Sequence, residues 1–186
     1  MAIRAPCHAR PGTARTSGGW VSVGGMDIRE MVESDWPQVW PIVEEVTAAR
    51  ETFPFDPGWT EEVAHAVWVE SPPGLTVVAH DGPTFLGTAK MGPNRPGPGS
   101  HVATASFMTA SAARGRGVGR ALCEFAIDWA TRQGYSAMQF NAVVESNVGA
   151  VRLYEDLGFT VIGTVPQAYD HARLGRVGLH VMHRFL

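Results

Sequence analysis

Residues 114–119 read Arg-Gly-Arg-Gly-Val-Gly, a turn placed between an apolar run and a strongly amphipathic segment. The chemistry such a turn supports is anion binding. Glycines let the main chain approach a phosphate with no Cβ in the way, successive N–H groups point into the turn, and a helix opening just after it adds the positive end of its dipole. Two common nucleotide-binding patterns fit poorly. A P-loop closes on Gly-Lys-Ser/Thr, whereas Gly119 is followed by Arg120 and Ala121. A dinucleotide fingerprint counted from Gly115 meets Gly117 and then Arg120 instead of a third glycine, and Gln139 and Asn141 stand where its acidic residue belongs. The expected phosphate donors are the amides of Gly115, Gly117, Val118 and Gly119 and of Arg120 at the helix start. Charge from Arg114 and Arg116 is secondary, because loop arginines are usually solvated.

The elements that must position this turn follow from periodicity. Residues 103–109 read as a strand running into it, and Val118, Leu122, Phe125 and Trp129 fall on one face of a helix that begins near Arg120 and closes at Gly134. Upstream, Met26 opens the first strand, and Ser34-Asp35-Trp36-Pro37 supplies cap chemistry for a helix to about Ala49. A Pro-rich loop over 53–58 follows, and Thr60 caps a second helix ending near Glu70. Residues 75–80 and 85–91 flank Asp81-Gly82-Pro83 as a hairpin, and 93–99 form a rigid loop before the strand 101–109. Residues 137–144 alternate, with Met138, Phe140, Ala142 and Val144 facing one way and Gln139, Asn141 and Val143 the other. A short helix after Asn147 stops at Gly158. The last strands, 159–165 and 176–185, are joined by a loop rich in His, Arg and Gly. The order is strand, two helices, three strands, helix, strand, helix, two strands: an α/β chain with a mixed sheet.

The 186 residues suit one domain over 26–186, and a formal net charge of −3 offers no basic field for nucleic acid. Cys7 in an irregular stretch and Cys123 inside a helix suggest a reducing, cytoplasmic compartment rather than a disulfide framework. The seven histidines have no metal-ligand spacing, and His180 and His183, three apart in a strand, point to opposite faces. No run of eighteen apolar residues exists to cross a membrane. Residues 1–25 hold Arg4, Arg10 and Arg15 with no acid, and read as an irregular extension or as an upstream start ahead of an initiator at Met26.

The spacing Arg-x-x-Gly-x-Gly from Arg114 to Gly119, together with the element order, resembles the Gcn5-related N-acetyltransferase (GNAT) superfamily. So does Asn147, then Ala150, Tyr154 and Leu157-Gly158-Phe159. The resemblance implies a mostly antiparallel mixed sheet whose central parallel strands splay, with helices on both faces. It implies acetyl-CoA as cofactor, with its pyrophosphate on the glycine turn and its pantetheine arm in the splay near Met108 and Thr109. Asn147 then contacts the coenzyme arm, Ala150 leaves room, and Tyr154 sits beside the thioester sulfur as general acid. Asn147 and Tyr154 are seven residues apart, almost two helical turns, and so share one face. The leaving thiol has a parent pKa of about 8.5 and a phenol one of about 10, so Tyr154 stays protonated at neutral pH. Capping of the short helix is a role compatible with ligand contact at Asn147.

The acceptor is expected to be a small amine. An amine of pKa about 10 is only about 0.1% neutral at pH 7, a cost of about 4 kcal/mol. Candidates to cover it are Glu51, Asp56, Glu145 and His101, or a water chain ordered by Asn141 and Gln139. Phe53, Phe55 and Trp59 either close an aromatic lid over the acceptor or pack on the sheet. Residues 138–144, Asn147, Gly163-Thr-Val-Pro166 and Pro93-Asn94 with 97–101 resemble a branch of that superfamily acting on azetidine-2-carboxylate and proline analogues. That resemblance assigns Asn141 and Thr104 to the acceptor pocket, with threonine where the branch carries asparagine. A non-catalytic acyl-CoA sensor and a protein N-terminal or lysine acetyltransferase are the alternatives. Dimers are frequent in the resembled family, and no stripe on this chain demands one.

Overall fold

The computed structural model describes residues 21–23 and 25–186, so Cys7 and the arginine-rich start lie outside the described residues. The elements are β1 (Val21–Val23), β2 (Met26–Glu30), α1 (Trp36–Ala49), α2 (Glu61–Trp68), β3 (Leu75–Asp81), β4 (Thr84–Pro93), β5 (Val102–Thr109), α3 (Val118–Arg132), β6 (Ala137–Val144), α4 (Val148–Asp156), β7 (Thr160–His171) and β8 (Gly175–Phe185). They form one eight-stranded sheet in the order β1-β2-β3-β4-β5-β6-β8-β7. All neighbours are antiparallel except β5 and β6, which gives the expected mixed, mostly antiparallel architecture.

The sheet departs from the sequence reading at three places. Val21–Val23, expected to be irregular, pair with Met26–Ile28 of β2 across a turn that Gly25 makes at φ +84°. The strict alternation of β6 fails, because a bulge between Phe140 and Val143 inserts one residue and turns Val143 onto the buried face beside Met138 and Phe140. The polar segment expected to be a loop after residue 165 continues β7 to His171, with its own bulge between Val165 and Tyr169. Tertiary contacts outweigh its composition: the Tyr169 hydroxyl donates to the Phe53 carbonyl at 3.2 Å, and Arg50 pairs with Asp170 at 2.9 Å.

Between β5 and β6 only two register pairs form, Val102 with Ala137 and Ala103 with Met138. Beyond them β6 stays on β8 and bends at its bulge, while β5 stays on β4, so the two parallel strands part.

Successive residues of β3 feed opposite faces of the sheet. Val77 and Ala79 join Leu122, Phe125 and Trp129 of α3, while Val78 joins Val39, Val43 and Trp68 of α1 and α2. Helices therefore cover both faces. Within the second cluster Trp68 donates to Thr88, whose hydroxyl donates to the Val77 carbonyl, so no polar atom of that buried chain is left unpaired.

Asp35 does not cap α1 through its side chain. It lies in a short 3-10 turn ahead of the helix, and its carboxylate takes hydrogen bonds from Arg29, at 2.7 Å to Nη2, and from the Val32 N–H at 2.9 Å. The Arg29 guanidinium holds the Asp35 carboxyl below the usual carboxylate range. A folded pKa below the unfolded one adds stability that is complete above about pH 4 and fades as pH falls through the folded value. Asp35→Ala is expected to cost about 2 kcal/mol at neutral pH, between exposed and fully buried pairs, and to flatten the acid side of the stability curve. Denaturant titrations between pH 3 and pH 7 measure both.

Candidate active site

The turn between β5 and α3 is built as the sequence implied. Gly115 and Gly117 both stand at φ +78°, a conformation that side chains rarely adopt. Arg114 and Arg116 N–H groups close onto Ser111 and Ala113 carbonyls, and Ala121 donates to Gly117. Among the described residues, the N–H groups of Gly115, Gly117, Val118, Gly119 and Arg120 donate to no protein acceptor, so they form an open set of donors at the N-terminus of α3. Gly119 is different from its neighbours in one respect. A Cβ there would lie 3.8 Å from Leu153 and 3.9 Å from the Thr109 hydroxyl, both lining the same cavity, so its hydrogen marks space open to a ligand.

The arginines divide. Arg116 pairs with Asp81 at 2.8 Å and Arg120 with Asp156 at 2.9 Å, away from the main cavity. Arg114 lines that cavity and has no ion pair among the described residues. The Val118 side chain is buried in the core, which leaves only its N–H for a ligand.

A cavity of about 620 Å³ runs from Arg114 and Gly119 along the parted strands to Phe53, Phe55 and His171. The Ala110 N–H donates to Leu86 and the Asn94 N–H donates to the Val102 carbonyl, which places even-numbered main-chain groups of β5 on β4. By the two-residue period of a strand, Met108 is spent on β4, and Phe107 and Thr109 present their N–H and C=O groups to the open seam. The Met108 side chain is buried against α1 and α2, and Met108 and Thr109 are both among the residues that line the cavity. Across the seam the buried Ser146 hydroxyl has no hydrogen-bond partner among the described residues, a rare state that a bound amide would relieve.

On α4, Asn147 caps the helix by accepting the Ala150 N–H at 3.3 Å, and Asn147, Ala150 and Tyr154 all line the cavity. The Tyr154 ring is held by Phe140 at 4.7 Å and by Phe107 and Phe159 at 6.2 and 6.1 Å. Burial raises the pKa of its phenol, and its hydroxyl makes no hydrogen bond among the described residues. Cys123 lies beneath it on α3. Burial pushes that thiol up to about 12, so it is not a nucleophile at neutral pH.

At the far end, Phe53 and Phe55 line the cavity, and they pack on Trp68 of α2 and on Trp59 rather than on the sheet, with Trp59 itself outside the cavity wall. Thr104 and Asn141 both line the cavity. Asn141 sits at the β6 bulge in a chain of amides: Gln139 donates to it at 2.8 Å, and it donates to Asn94 at 2.6 Å.

Of the carboxylates and imidazoles considered as bases, Glu51 alone reaches the cavity, paired with Arg173 at 2.8 Å. Asp56 accepts the Gly58 N–H, Glu145 the Gly178 N–H at 2.6 Å, and His101 bonds the Pro98 carbonyl. Asp56 and His101 bond within their own loops, and Glu145 bonds across to β8. Lining residues that the sequence did not single out include Ser146, His171, Arg173 and Leu174. The hairpin that carries the last three looked like a polar connection, and its contacts with Arg50, Glu51 and Phe53 bring it over the cavity.

The family model described as the acetyltransferase (GNAT) family matches residues 27–159. A Gcn5-related N-acetyltransferase from Kribbella flavida is 55% identical, with a TM-score of 0.85 over 87% of this chain and 98% of its own. The yncA protein of Salmonella typhimurium, solved with its cofactor acetyl-CoA, has a similar fold: TM-score 0.73 and 24% identity over 87% of this chain and 94% of its own. The N-acetyltransferase aca1 of Schizosaccharomyces pombe is 34% identical over 97 residues, which is 52% of this chain and 46% of that protein. The chain spans less than half the length of the curated relatives it matches.

Proposed function

The chain belongs to the acetyltransferase (GNAT) family, and we propose that it moves an acetyl group from acetyl-CoA to the nitrogen of a small amine by direct attack within a ternary complex. One observation carries this reading: a single cavity joins the open amides at the start of α3 to an acceptor end walled by Phe53, Phe55 and the β7–β8 hairpin. The residues present suit acetyl-CoA. The amides of residues 115 and 117–120 would hold its diphosphate, with Arg114 beside them. The seam edge at Phe107 and Thr109, with Ser146 and Asn147, would hold its amide-bearing arm.

When bound, acetyl-CoA supplies an activated acyl group as a thioester. Tyr154 lines the cavity and keeps its hydrogen across the neutral range, so it would be the residue to donate a proton to a departing thiolate. The N–H groups that Phe107 and Thr109 turn to the seam would be available to an acyl oxygen, in the manner of an oxyanion hole. The amide chain Gln139–Asn141–Asn94 would order a water to take the amine's proton. No acyl-enzyme step is needed, since Cys123 is sealed in the core.

The enclosing rings and hairpin favour a small acceptor over a protein segment. Asn141 and Thr104 in the cavity wall add proline and its four-membered analogue to the candidates. The test is thiol release from acetyl-CoA with amino acids, simple amines and peptides. Release with small amines alone supports the reading. Release with peptides alone assigns protein modification, and coenzyme binding without release assigns a sensor.

A further inference from the structure

Resting on the acetyl-transfer reading, we infer that the tip of the β7–β8 hairpin is a carboxylate subsite, in which His171 Nε2–H and Arg173 hold an oxygen of the acceptor. His171 is 7% exposed and lines the cavity. Its Nδ1 lies 3.1 Å from the Arg173 N–H, and a main-chain amide can only donate. Nδ1 is therefore the acceptor, which puts the hydrogen of the neutral ring on Nε2. Among the described residues Nε2 has no protein partner and is not sealed from solvent, and His171 is part of the cavity lining. His171 is thus a fixed donor and not a base. A general base would need a free lone pair, and its one lone pair is already occupied.

The surrounding charges agree with an oxygen ligand. Arg173 uses Nη2 on Glu51, which neutralises the one carboxylate on this wall and leaves the other guanidinium hydrogens for a second oxygen. Arg50 is tied to Asp170 of the same hairpin, outside the cavity wall, so neither charge is offered to an acceptor. The Tyr169 hydroxyl is likewise spent, on the Phe53 carbonyl. Of these groups, the imidazole N–H and the spare face of Arg173 are what remain to recognise an acceptor, and both are donors. An amine with a carboxylate meets them. The same amine without one leaves the His171 donor unpaired in a partly dry site, which costs binding.

The test uses the full chain, acetyl-CoA, the common amino acids and, for each, the amine it would leave without its carboxyl group. Coenzyme binding by calorimetry is measured first, and its absence would remove the acetyl-transfer reading rather than this one. With binding present, at least one amino acid is expected to exceed its partner amine in kcat/KM by about tenfold to a hundredfold, the range of a hydrogen bond to a charged group. Equal rates within every pair, preference for the amines, or turnover of no amino acid overturns the subsite.

Two variants separate recognition from structure. His171→Asn keeps an acceptor for the Arg173 N–H but has no donor at the Nε2 place, so the preference should vanish through KM with kcat little changed. His171→Gln restores a donor near the Nε2 place and should restore the preference. A preference intact in His171→Asn, or equally lost in both with coenzyme affinity unchanged, shows that the ring acts only on the hairpin.

Discussion

Gly119→Ala is expected to weaken acetyl-CoA binding about tenfold to a hundredfold, a loss of about 1.4 to 2.8 kcal/mol, while leaving the fold as stable as before or more so. The two halves of that expectation come from different surroundings of one hydrogen atom. Within the protein, a Cβ at 119 meets Leu153 and Thr109 only at ordinary contact distances, and alanine is worth up to about 1 kcal/mol over glycine in a helix. Towards the cavity, the same methyl stands among the open amides where a diphosphate would lie. Calorimetry and a thermal melt on one preparation measure both. Unchanged affinity would remove the phosphate site from the start of α3. Gly117→Ala is a poorer probe, because φ +78° strains any side chain and mixes folding with binding.

Tyr154→Phe is expected to lower kcat by about a hundredfold or more, the usual worth of a positioned acid, with the affinity for acetyl-CoA within about twofold of the parent. The substitution is clean because of how the ring is held. Phe140, Phe107 and Phe159 grip its carbons, which phenylalanine keeps, and among the described residues the hydroxyl has no partner to orphan. The pH dependence follows from the direction of the shift. Burial raises the Tyr154 pKa, so the phenol keeps its hydrogen beyond its ordinary value of about 10. The parent rate should rise with pH as the acceptor amine loses its proton, with no fall from Tyr154 below about pH 10. Full activity in Tyr154→Phe would show that sulfur leaves without this donor.

The end of the cavity proposed for the coenzyme was legible in the sequence because its parts are local. A glycine turn, a helix start and an Asn-to-Tyr spacing each need only neighbouring residues, and Gly119, Asn147, Ala150 and Tyr154 come together along one wall. The acceptor side was less so. Asn141 and Thr104 were found by resemblance, but the β6 bulge that re-aims Val143 depends on pairing with β8, which periodicity within one strand does not encode. The hairpin end was missed for the same reason: its strand character rests on Arg50 and Phe53, more than a hundred residues away. Register is a third limit. Which edge of β5 a main-chain group faces depends on its pairing with β4, so the choice between Met108 and Phe107 is not written in β5 alone.

The two rungs at Val102 and Ala103 make the sheet a pair of plates, β1–β5 and β6–β8, that share a short hinge. On the proposed reading, a coenzyme laid along the free edges acts as a clasp between the plates, and a clasp stabilises only what it holds closed. At a hundred times its dissociation constant it would contribute about 2.7 kcal/mol to the folded state. The lifetime of this protein would then follow the supply of the coenzyme, so that scarcity removes idle copies as well as slowing them.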